Sequence, residues 1–165
     1  MSVKTFHAKN VTLVQGVFDT AFFDLLKKKK VKEAVVLEGR PTLEAAKRNS
    51  QQLLKRKIKP ILISDNMAGF FFYKNFVKEV WLAAQKSDEK GALGHIGALM
   101  LAVLARRHKV PVYTFKAQKE TELFGHKKDI FSFNGIKTAP EGIHAYVPLV
   151  EWVPRKYIKE AAKDE

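Results

Sequence analysis

A chain of 165 residues with 46% hydrophobic content is long enough to bury one core and too short for two full domains, so a single domain over residues 1–165 is expected. Cysteine is absent, which excludes disulfides, thiolate metal sites and cysteine nucleophiles together. The 30 Lys and Arg against 17 Asp and Glu leave a formal charge of +13, which favours anionic partners such as phosphorylated metabolites or nucleic acid.

The bland account of that charge is local. The lysine clusters LLKKKKVKE, LLKRKIKP, ARRHK and GHKKD each follow a helix-like segment, where cations oppose the negative end of the helix dipole. Stacking aromatics are not interleaved with them, as single-stranded nucleic-acid platforms require. No apolar run approaches the ~20 residues that span a bilayer, and MSVKTFHAKN lacks the apolar core of a signal peptide. A soluble, cytoplasmic protein without membrane contact is the expectation.

In chain order, Asn10–Leu13 reads as a short strand. Phe18, Phe22, Leu25 and Leu26 then recur at helical spacing through FDTAFFDLLKKKK. EAVVLEG, Glu33–Gly39, is short, β-branched and closed by glycine, a buried strand. Pro41 stands near the start of a helix in PTLEAAKRNSQQLLKRK, and KPILIS is the next strand. GFFFYKNFV reads as a short helix and KEVWLAA as a strand. GALGHIGALMLAVLARRH reads as a helix apolar on almost every face, the mark of burial between other elements. VPVYTFKA is a strand, QKETELFGHKKDIFSFNG a connecting segment, and the chain ends in a helix begun at Pro154. Strands alternating with helices predict an α/β fold, a mostly parallel sheet with helices on both faces.

In an open parallel sheet, ligands lie outside the carboxyl ends of the strands. Here those ends carry Gln15-Gly16, Glu38-Gly39-Arg40, Ser64-Asp65-Asn66 and Gln85-Lys86, which are expected to converge on one crevice. Asp65 has a competing duty as a helix N-cap, worth about 1 kcal/mol, and Asn66 suits either role. Arg40 can pair locally with Glu38 or Asp65, or grip an anion. GALGHIG places Gly91, Gly94 and Gly97 before a helix, where backbone N–H groups can cradle phosphate. The spacing matches neither the dinucleotide fingerprint nor the phosphate loop of nucleotide hydrolases, and close helix packing explains the glycines equally. His95, among them, is a candidate anion contact or a structural histidine. His7, His95, His108, His126 and His144 are scattered without metal-ligand spacing, and no serine sits in a nucleophile elbow, so neither metal nor cofactor is expected.

Taken together, LEGRP, ILISDNMAGFFF, VWLAAQKSDEKGALGHIGALMLAVLARRHKVPVY and APEGIHAYVPLVEWVP resemble the family that joins the initiation factor 2B alpha, beta and delta subunits to two sugar-phosphate isomerases, which act on methylthioribose 1-phosphate and ribose 1,5-bisphosphate. Order and spacing hold from about Val11 to the C-terminus. The resemblance implies the family's C-terminal Rossmann-like domain, dimeric, without the N-terminal helical domain of full-length members. It also implies departures. Gln15 stands where the isomerases present a cysteine and Gln85 where they present an aspartate; Gly94-His95 replaces an Asn-Lys pair, and Lys47 an arginine. Arg40, Asp65, Asn66 and the APEG turn, Ala139–Gly142, match the family.

An amide cannot act as general acid, base or nucleophile. What the resemblance implies is therefore a non-catalytic member whose crevice, drawn from Gly16, Arg40, Asp65, Asn66, Gln85, Gly94 and His95, binds a phosphorylated small molecule such as a sugar phosphate or nucleotide, or a chain that binds a protein partner. Two alternatives stay open. One is a small aldose–ketose isomerase with relocated groups, Asp65 with Asp88, Glu89 or His95. The other is RNA or ribosome association, suggested by the +13 charge and the family's translation branch.

Overall fold

β-branched and aliphatic residues dominate the three short strands that open the chain: β1 (Val11–Gln15), β2 (Glu33–Leu37) and β3 (Lys59–Ile63). They are linked by amphipathic helices α1 (Thr20–Lys28) and α2 (Glu44–Lys55). A 3-10 turn over Asp65–Met67 then runs into α3 (Ala68–Tyr73), followed by β4 (Val77–Asp88), β5 (Gly91–His95), α4 (Ala98–Arg107) and β6 (Val112–Lys116). Beyond them come α5 (Lys128–Phe131), the small hairpin β7 (Ser132–Phe133) and β8 (Ile136–Lys137), and β9 (Val150–Pro154). This computed structural model describes residues 9–159.

Seven strands form one sheet in the order β3-β2-β1-β4-β5-β9, with β6 also paired to β4. β3, β2, β1, β4 and β6 are parallel, whereas β5 runs antiparallel to β4, and β9 antiparallel to β5. The architecture is the α/β arrangement expected, extended by an antiparallel flap. Alternation along each strand sorts the core into two layers. Val14, Val36, Trp81 and Ala83 face Phe22, Phe23 and Leu26 of α1 and Leu53 of α2. Leu13, Val35, Val80 and Leu82 face Phe71 and Phe72 of α3 and Ala98, Leu101, Ala102 and Ala105 of α4. Burial on both faces is why these strands read as continuous apolar runs.

Four sequence expectations are corrected. Gly91–His95 is a strand, and helix begins only at Ala98. The glycines read as a phosphate cradle or as helix packing serve close backbone approach: a Cβ on Gly91 would lie 2.1 Å from the Val153 carbonyl oxygen, and one on Gly94 3.2 Å from the Ala98 Cβ. β4 runs on to Asp88, so Gln85 sits within a strand, at an irregularity between Ala84 and Lys86. Pro154 ends a strand: Val150–Pro154 pairs antiparallel with β5, and a single 3-10 turn, Arg155–Tyr157, follows. The rest of the expected terminal helix, residues 160–165, lies outside the described residues. The connecting segment also contains a hairpin closed by Asn134-Gly135, both with positive φ (51° and 78°), a turn for which Asn-Gly is the favoured dipeptide.

Helix ends match their charges. Asp19 accepts from the Ala21 N–H at the start of α1 (3.0 Å), and Lys27 and Lys28 occupy its last turn. Among the described residues no helix is long and apolar enough to cross a membrane.

Candidate functional site

At the carboxyl end of β1 the chain turns at Gly16 (φ +88°), where a Cβ would lie 2.9 Å from both the Ala83 Cβ and the His95 Cδ2. Only glycine lets the imidazole rest against the backbone there. The Gln15 side chain, almost fully buried, donates from Nε2 to the Ile96 carbonyl (2.8 Å), which leaves its Oε1 buried without a partner. Asn49, on the inner face of α2 and fully buried, donates from Nδ2 to the Gly16 carbonyl (2.8 Å); its Oδ1 is likewise unpartnered.

The same pattern recurs behind the segment that carries Thr121. Gln85 accepts from the Thr121 N–H through Oε1 (3.0 Å) while its Nε2 is buried without a partner. His95 carries a buried, unpartnered Nε2. Burial pushes the His95 imidazole below its ordinary pKa, an effect that Glu44 opposes and Lys119 reinforces, so the ring is neutral at pH 7. Buried polar atoms left without hydrogen bonds are costly and uncommon; Gln15 and His95 bring two of them to the wall of one opening, whereas Asn49 and Gln85 do not line it and instead hold the backbone of two residues that do, Gly16 and Thr121.

That opening is lined by Gln15, Gly16, the Gly39–Thr42 loop, Ala45, His95, Ile96, Thr121 and Leu149. Its volume is about 10 Å³, room for about one water. Arg40 is among the lining residues, and its guanidinium lies 4.2 Å over the ring of Phe133.

Asp65 does not line the opening and caps no helix. Its Oδ1 and Oδ2 accept from the backbone N–H groups of Gly39 (2.9 Å) and Arg40 (2.8 Å), so the carboxylate clamps the β2–α2 loop that carries Arg40. The turn beginning at Asp65 has Ser64 as its N-cap, without a side-chain bond. Glu38, beside this clamp, has its pKa raised by burial and by the Asp65 charge, with Arg40 opposing. Asn66 is exposed, and Gly94 is buried against Ala98; neither lines the opening.

Nor does the start of α4 offer its N–H groups freely. The Glu151 carboxylate accepts from the Leu99 N–H (2.9 Å), and a carboxylate there repels a phosphate. Asp88 Oδ1 closes the β4–β5 turn by accepting from the Lys90 (2.7 Å) and Gly91 (3.2 Å) N–H groups, and Glu89 and Lys47 are exposed. The APEG turn lines a separate groove of about 310 Å³ with Phe131, Lys137 and Ile143. His7 lies outside the described residues, within which no group of three or more His, Cys, Asp or Glu side chains gathers as a metal site.

Sequence reasoning missed Asn49, Thr121 and Glu151. Asn49 carried a signal: it interrupts the buried stripe Ala45, Asn49, Leu53, where an amide needs a partner. The assembled site offers amide and imidazole groups for hydroxyls and a guanidinium for an anion. His95 is the one histidine that lines it.

Residues 7–162 match the initiation factor 2 subunit family. The methylthioribose-1-phosphate isomerase of Geotalea uraniireducens is 31% identical over 133 residues, covering 73% of this chain and 38% of that protein. The isomerase of the same name from Thermus thermophilus is 26% identical over 167 residues, covering 92% and 51%. This chain thus spans about half or less of the length of the curated relatives it matches. Among solved structures, translation initiation factor eIF-2B subunit delta from A. fulgidus superposes with a TM-score of 0.76 at 16% identity, over 93% of this chain and 51% of that one. The 5-methylthioribose 1-phosphate isomerase from Pyrococcus horikoshii OT3 gives 0.76 at 20%, over 92% and 49%. At such identities the superpositions speak to the fold.

Proposed function

This chain belongs to the initiation factor 2 subunit family, and on that premise we propose that its crevice binds a small sugar phosphate without turning it over. The observation that carries the reading is the buried Gln15 amide, which lines the crevice with its Oε1 unpartnered, backed by Asn49 and Gln85, which hold the backbone of the lining residues Gly16 and Thr121 and each leave one buried side-chain atom unpartnered. Such groups recognise sugar hydroxyls and have no proton to exchange near neutral pH. Arg40, on a loop clamped by Asp65, supplies the cation for the phosphate. With room for about one water in the crevice, a sugar phosphate enters when the β2–α2 loop and the segment bearing Thr121 part.

A second reading is favoured by His95. Of the relocated groups considered for an isomerase, Asp65 and Asp88 are committed to backbone N–H groups, whereas His95 lines the crevice, neutral and with Nε2 unpartnered. Aldose–ketose isomerisation moves one proton between adjacent carbons and needs one base of suitable pKa. The relatives named as methylthioribose-1-phosphate isomerases supply the substrate to try first.

One experiment separates the two. Methylthioribose 1-phosphate is incubated with the protein and followed by NMR. Broadened ligand signals without conversion are the expected result. Conversion that disappears in His95→Gln supports the second reading, and unbroadened signals with no conversion contradict both.

A further inference from the structure

Opposite the crevice, at the amino ends of the parallel strands, the cations are not distributed as helix dipoles alone require. Lys27–Lys30, Lys55–Lys57, Lys74 and Arg106–Lys109 follow helix ends or lie in their last turns, where the dipole favours positive charge. Lys9 and Lys32 precede β1 and β2, and Lys78 is the second residue of β4. Sheets have only small net dipoles, so nothing in the backbone calls for cations there.

Two open grooves gather these charges. One, of about 410 Å³, is lined by Lys9, Lys30, Lys32 and Lys78 with Glu33. The other, of about 430 Å³, is lined by Arg106, Lys109, Lys156 and Lys159, with no acid. Glu33 is paired to Lys59 (2.9 Å), and Glu79, the other described acid near these strand starts, is buried and accepts from the Thr12 hydroxyl (2.7 Å). Among the described residues, no lining cation of either groove is in an ion pair. The grooves border the starts of β1 and β6, which flank β4, so those strands are about 10 Å apart, close enough for one extended polyanion to reach both.

We propose that this pole is a docking surface for the phosphate backbone of a nucleic-acid duplex, gripped without reading its bases. Lysine and arginine side chains without acid neighbours neutralise phosphates and release counterions. Base stacking is not the mode: Tyr157, the aromatic residue lining these grooves, already faces Arg106 (5.5 Å) and Lys156 (5.2 Å), whereas single-strand platforms present free rings. The charge complementarity belongs to the face opposite the crevice, so the proposal is independent of sugar-phosphate binding.

The test is fluorescence anisotropy of the full chain with a short RNA duplex and the DNA duplex of the same sequence, across a salt series. Four or more phosphate contacts predict an affinity loss on the order of 100-fold between about 50 and 200 mM salt. Lys32→Ala with Lys78→Ala, and separately Lys109→Ala with Lys156→Ala, are each expected to weaken binding several-fold and lower the salt slope by about two. Lys127→Ala with Lys128→Ala, next to and within α5, is expected to change neither, and circular dichroism confirms that each variant is folded. Binding of RNA alone, or of both duplexes, with this pattern supports the proposal and identifies the duplex. Salt-insensitive binding, unchanged slopes in both groove variants, or binding to phosphatidylserine vesicles and to neither duplex would overturn it.

Discussion

His95 shows how one side chain links stability to function. Its imidazole is held neutral by burial against the β1 turn, with Glu44 opposing and Lys119 reinforcing the shift. Because the folded pKa lies below the unfolded value of about 6.5, the unfolded chain takes up the proton first as pH falls. The stability from neutral His95 is fully present above about pH 6.5 and is lost as pH falls toward the lower folded pKa. Urea denaturation at pH 7.5 and 5.5 is expected to show a larger loss in wild type than in His95→Gln, which has no proton to bind; equal losses would mean His95 is not held neutral. Asp65 is the opposite case, legible as important and misassigned in role. The junction in ILISDNMAG announced a polar residue with a duty, but whether it caps its own turn or reaches Gly39 and Arg40, 26 and 25 residues earlier, depends on how β2 and β3 align, which no local pattern contains.

Among the elements, those with one clear periodicity were legible. α1, α2 and the first three strands lie within a few residues of where apolar spacing puts them. β5 was not: Gly91–His95 has no β-branched residue, abuts a true helix, and is a strand because glycine lets its backbone lie close to β9 and α4. β9 was hidden by Pro154, read as a helix start when it closes an antiparallel strand. Helices α3 and α4 raise a different question. They pack against one another, yet Met67, Phe70, Tyr73, Met100 and Val103 remain largely exposed on and beside them. We propose that this apolar face mediates self-association, the dimer that the family resemblance implies. Light scattering is expected to give twice the chain mass for wild type and the single-chain mass for Phe70→Glu with Met100→Glu; a monomeric wild type would sink the idea.

At the scale of the molecule the parallel order β3-β2-β1-β4 with β6 beside β4 gathers the ends of β1 and β2, and His95 at the end of β5, into one opening. The α/β class and a crevice at the strand ends were legible because alternating elements leave few topologies. Which polar ends would meet was not: Asn66 is exposed and Asp65 is drawn to the Gly39 and Arg40 N–H groups, while Asn49, within α2, reaches the Gly16 carbonyl at the end of β1. Whether the crevice holds a sugar phosphate is decided by thermal unfolding with and without methylthioribose 1-phosphate, in wild type and Arg40→Ala. A ligand that binds only the folded state raises the melting temperature, by about 5–10 °C at a hundredfold excess over Kd for a domain of this size. The account predicts that rise in wild type and most of it lost in Arg40→Ala; no shift in wild type, or an equal shift in both, would contradict it.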